Sequence, residues 1–201
     1  MTDPVLLESS LESSPATCGS TTATTLPPIR RLVTGVDAAG RSTFETMGPS
    51  PSVRASAERP GYVVTDLWRT TETPARIAAS DSIAAHVGIR PPSAGSVVRI
   101  IDFPPDPADP SEFARGVQAT FARTFGNDAH RDGQGDPSMH TTDSIDYAIL
   151  LAGELVAVMD NGEQVMRPGD VLIQRGTRHG WRNRSDAMAR IAFVLIDGRR
   201  G

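Results

Sequence analysis

The chain has no lysine: all 20 of its basic residues are arginine. Schiff-base chemistry, pyridoxal phosphate attachment and a Walker-type phosphate lysine each need a primary amine, so all three are excluded. Cysteine is nearly absent too. The single Cys18 cannot form an internal disulfide or supply a thiolate zinc cluster. The first residues, MTDPVLLESS, carry no basic leader, and no apolar run approaches the 18 or so residues of a membrane helix. Positive charge is in deficit, with a net charge of −4 and a pI near 5.5, which disfavours binding by phosphate neutralisation. The expectation is a cytoplasmic protein with a small-molecule substrate and no nucleic-acid or membrane partner.

A length of 201 residues suits one domain, or one domain and a tail. Residues 1–28 hold 11 Ser or Thr and no basic residue. Such a segment buries too little apolar surface to offset its chain entropy, so it is expected to be disordered. Structure is expected from Ile29: strands at 30–34 and 41–44 around the turn Asp37-Ala38-Ala39-Gly40, a loop over 48–60, then strands at 62–68 and 95–103. After a proline-rich segment, Phe113, Val117, Phe121 and Phe125 recur at helical spacing. They predict a helix over 111–125 with Ser111 as N-cap and Gly126 as stop. Beyond a Gly/Asp-rich loop, short strands are expected at 147–151, 154–159, 171–174, 179–183 and 190–196, with a hairpin signal at Asp160-Asn161-Gly162. Many short strands and one helix predict an all-β fold, a closed antiparallel barrel or a sandwich. The division is a tail (1–28), extension strands and helix (29–126) and barrel motifs (127–201).

Four histidines are present: His86, His130, His140 and His179. His140 opens the last strand series and His179 lies near its end, with Asp143 and Asp146 between them. Two imidazoles and a carboxylate are a common way to hold a divalent ion with positions left open. His86 has no partner in its own segment, and His130 lies in a polar loop. Arg175, Arg178 and Arg182 are candidates to draw an anionic substrate. Met139 and Trp181 are candidates to line a pocket, with packing as the ordinary alternative.

The stretch from Met139 to Glu154 resembles the first cupin motif: His140, then Asp146, six residues, and Gly153. The stretch from Pro168 to Asn183 resembles the second, with Gly176, His179 and Asn183 in place. Together they cover roughly the last 65 residues. The resemblance implies a double-stranded antiparallel β-barrel (jelly roll) with an N-terminal strand extension, and a homodimer. In that family two His and a Glu of the first motif and the His of the second bind a metal. Here Thr142 stands at the second His, Asp146 at the Glu, and Gln174 at a usual Pro. The implied metal set is therefore His140, Asp146 and His179, for Fe, Zn, Mn or Ni, with Thr142 and Asp146 as catalytic candidates. Each has an ordinary reading: polar groups at a barrel mouth, backbone hydrogen bonding for Asp146, strand packing for Thr142. The resemblance implies a metal-dependent enzyme on a small organic acid, enol or polyketide-like substrate, of dioxygenase, decarboxylase, isomerase or cyclase type. The alternative is a metal-free binding or sensor module. A transcription factor would need a helix-turn-helix, which a single predicted helix does not provide.

Overall fold

A computed structural model describes residues 26–126 and 135–201. Most of the serine- and threonine-rich tail and the loop with His130 lie outside the described residues. The described residues form eleven strands: β1 (Arg30–Val36), β2 (Ser42–Pro49), β3 (Ser52–Ala55), β4 (Val63–Thr70), β5 (Ser96–Phe103), β6 (Ser144–Ala152), β7 (Leu155–Met159), β8 (Gly162–Met166), β9 (Val171–Arg175), β10 (His179–Arg182) and β11 (Ala189–Asp197). The helix α1 spans Pro110–Thr120 and runs into a π-helical turn at Phe121–Phe125.

A six-stranded antiparallel sheet has the order β3-β4-β5-β11-β6-β9, a three-stranded sheet the order β10-β7-β8, and β1-β2 form a separate hairpin. Strands before and after the helix thus share one sheet. Period-two alternation decides which side chains meet between the sheets. On β11, Ile191, Phe193 and Leu195 point inward, level with Ile101, Arg99 and Val97 of β5. Leu155 and Ala157 of β7, Met166 of β8 and Trp181 of β10 complete the core from the other sheet. This is the all-β barrel expected, with one helix beside it. Its outer face leaves Ile145, Tyr147, Leu151, Val171 and Ile173 exposed.

Local chemistry corrects several boundaries. The helix is capped by Asp109, not Ser111: the Asp109 carboxylate accepts from the Ser111 backbone N–H at 2.8 Å, and Pro110 takes the first helical position, where its missing N–H costs nothing. Regular α geometry stops at Thr120, whose hydroxyl donates to Gly116 O at 2.8 Å, and the last turn widens before Gly126 ends it at φ 63°. The expected loop 48–60 contains β3, a short edge strand that pairs with β4. Strand β8 was not expected: Gly162-Glu163-Gln164-Val165 is exposed throughout, so no burial pattern marked it, and the Asp-Asn-Gly turn draws it against β7.

Candidate functional site

The site lies inside the barrel. His140 is held to β10 by an isolated bridge in which the backbones of His140 and His179 exchange bonds of 2.8 and 2.9 Å. Two residues far apart in sequence thereby bring their rings to 4.3 Å between centroids. His140 Nδ1 is 2.9 Å from Ser138 O. His179 Nδ1 is 3.0 Å from Thr177 O and 2.5 Å from the Gln174 amide nitrogen, while Thr177 Oγ1 donates to Gln174 Oε1 at 3.0 Å. Gln174, at the family's proline position, thus holds the turn that presents His179. Burial pushes the His179 imidazole down to about 4, against the opposing pull of Thr177 O, so it is neutral at pH 7.

Asp146 lies on β6, level with Gln174 of β9 and Leu195 of β11. It is 4% exposed, and its Oδ1 is buried with no hydrogen-bond partner. Burial pushes this carboxyl up to about 6, against the Ser144 hydroxyl and the charge of Arg99, which favour ionisation. Thr142 is buried and its hydroxyl accepts from Ser144 Oγ at 3.0 Å. Asp143 is turned away and pairs with Arg200 at 2.7 Å.

One cavity unites these groups. It is lined by His140, Thr142, Asp146 and His179, by Phe121, Phe125, Trp181 and Phe193, and by Arg59 and Arg99. The rings form a continuous wall. Centroid separations are 5.6 Å from Phe125 to Phe121, 5.0 Å to His140, 5.9 Å from His179 to Trp181 and 5.4 Å to Phe193. The cavity volume is about 50 Å³. The cavity therefore takes a small, flat molecule more readily than a bulky one.

Arg175, Arg178 and Arg182 are not among its lining residues. Arg182 is engaged by Asp106 and Asp136, each at 2.6 Å, and Arg178 pairs with Asp160. The cavity's cations are Arg59 and Arg99 instead. Arg99 is 1% exposed and donates through Nε to the fully buried Asp66 at 2.7 Å. It also reaches Ile89 O, Gly88 O and the ring of His86, each at 3.1 Å. His86 is therefore not without a partner: burial, and then the charge of Arg99, hold it down to about 4. The signal for this network was in the strands. Val63-Val64-Thr65-Asp66 and Val97-Val98-Arg99-Ile100-Ile101 each place a charge in an apolar run, and opposite charges on neighbouring strands at inward positions pair.

For a metal, the donors are two adjacent imidazoles and, in the same cavity, one carboxylate. Among the described residues there is no group of three or more His, Cys, Asp or Glu side chains placed to hold an ion. Thr142 adds only a hydroxyl that is already an acceptor.

The profile of the cupin domain family matches residues 130–196. A phomopsin biosynthesis cluster protein, C', of Diaporthe leptostromiformis is 31% identical over 178 residues, covering 84% of this chain and 78% of that protein. The cupin-domain-containing oxidoreductase fogC of Aspergillus ruber is 28% identical over 179 residues, covering 86% and 74%. The cupin domain of Schizosaccharomyces pombe Cnp3 superposes over 84% of this chain and 87% of its own, with 10% identity and a TM-score of 0.41. The chain belongs to the cupin superfamily. Among the described residues no helix is long and apolar enough to cross a membrane.

Proposed function

We propose that this cupin is an enzyme that moves a proton on a small enolisable substrate bound in the barrel, with Asp146 as general base. The observation that carries this reading is the Asp146 carboxyl: it lines the cavity with an oxygen buried and unpartnered, which costs stability unless a ligand uses it. Its proton affinity, near 6, suits transfer at neutral pH. The neutral imidazole of His179, anchored through Nδ1–H on Thr177 O, leaves its second ring nitrogen to accept from a hydroxyl of the substrate. The aromatic wall excludes water, and Thr142 supplies a hydroxyl beside the reacting centre. Isomerisation and cyclisation of enols both need such a proton transfer.

The test is deuterium incorporation at C3 of phenylpyruvate, an enolisable acid, followed by NMR in heavy water. Wild type is expected to exceed Asp146→Asn by about 100-fold or more, the usual weight of a general base. Equal rates in the two proteins would end the reading.

A second reading, a divalent metal held by the imidazoles of His140 and His179, is favoured by their pairing at 4.3 Å. It also accords with the oxidoreductase name of several relatives. Such an ion would act as a Lewis acid on a carbonyl or enol oxygen.

A further inference from the structure

We propose that the cavity is selective for anions: its substrate is an acid whose carboxylate or enolate oxygen is received by Arg99 while its reacting carbon lies at Asp146. The inference rests on the acid–base reading for the second half, but the anion site stands on observations of its own.

The first is a count of charges. Asp66 is fully buried and is shared by two guanidinium groups, Arg99 at 2.7 Å and Arg54 at 2.5 Å. His86, the other titratable group against Arg99, is neutral at pH 7. Around Asp66 the count is therefore two positive charges to one negative, and the next negative charge that Arg99 acts on is the Asp146 carboxylate two strands away. Arg54 takes part of its solvation from water, with a quarter of its side chain exposed, whereas Arg99 is 1% exposed. A buried excess cation is costly unless an anion reaches it.

The second is donor capacity. Arg99 uses Nε for Asp66, Nη1 for Ile89 O, and Nη2 for Gly88 O and His86. A guanidinium has five N–H groups, so one on Nη1 is left to donate. Asp66 faces Arg99 from β4, and Arg99 also lines the cavity, together with Phe125, whose ring centroid is 5.3 Å from the guanidinium carbon.

The third is register. Arg99 is level with Phe193 on β11, and Asp146 is level with Leu195, two residues further along the same strand. Arg99 and Asp146 therefore share the inner face, two strands and two residues apart. That is roughly 12 Å between Cα atoms at ordinary strand spacing, and the charge of Arg99 acts on the Asp146 carboxyl across it. Arg59, the other lining cation, is already matched by Asp106 at 2.8 Å.

The experiment is calorimetric titration of the full chain with benzoate and with benzamide, which share a shape and differ in charge. Wild type is expected to prefer benzoate by at least tenfold. Arg99→Met should abolish that preference, and Asp146→Asn should keep it. A wild-type ratio below tenfold overturns the proposal, as does a folded Arg99→Met protein that retains the preference. If Arg99→Met does not fold, the wild-type ratio and the double variant Asp66→Asn/Arg99→Gln, which removes the buried pair together, decide by the same criterion. Benzoate preference without phenylpyruvate exchange would sink only the acid–base reading. Exchange without benzoate preference would sink only the anion site.

Discussion

Asp146→Asn should change the pH dependence of stability in a direction that can be worked out in advance. In the unfolded chain the carboxyl titrates near 3.8, and in the fold burial raises it to about 6. Between those values the folded state holds the proton more tightly, so stability is fully present below about pH 4 and is lost as pH rises through 6. The displacement amounts to about 3 kcal/mol. Asp146 is 4% exposed, so solvent screens little of it. His86 and His179 act with the opposite sign. Both are lowered from 6.5 to about 4, so each contributes stability present above pH 6.5 and lost as pH falls toward 4. In wild type the carboxyl masks part of the histidine slope. Asparagine keeps the shape and removes the charge. The difference between variant and wild type should therefore move by about 3 kcal/mol in the variant's favour from pH 4 to pH 7.5. Urea unfolding across that range, with a chelator present, measures it. A difference independent of pH, or one that moves the other way, would show that the carboxyl is not held protonated by the barrel.

Two further outcomes are expected. Gly153→Ala should destabilise by about 2 kcal/mol or more in thermal unfolding, because Gly153 sits at φ +73° and a Cβ there would overlap Met188 O and lie 2.8 Å from Ala189 Cα. In metal titrations, His140→Ala and His179→Ala should each abolish any stoichiometric zinc or iron uptake while Asp143→Ala does not, and Thr142→His should tighten it by about tenfold, roughly 1.4 kcal/mol for one added ligand. Unchanged affinity in Thr142→His would place Thr142 outside the ion's reach.

The elements near the site were largely legible in the chain itself. Alternation along 147–151 and 190–196, the Asp-Asn-Gly turn and the spacing of His140, Gly153, Gly176 and His179 are local patterns, and local patterns survive without a partner strand. They suffice for the barrel and for two of its histidines. Boundaries were less secure where competing local chemistry was equal: Asp109 and Ser111 are both good caps, and only the position of Pro110 in the first turn settles between them. What the tertiary structure alone decided is who meets whom across strands. The ring pair of His140 and His179 depends on a single bridge between residues 39 positions apart. Asp66 and Arg99 depend on β4 pairing with β5 in one register. A one-residue slip would turn every such side chain to the other face, because a strand repeats every two residues. Burial then does what no motif can encode. It raises Asp146, lowers His86 and His179, and sets the Arg99 guanidinium 1% exposed against Asp66, since each effect depends on how much water the packed sheets remove.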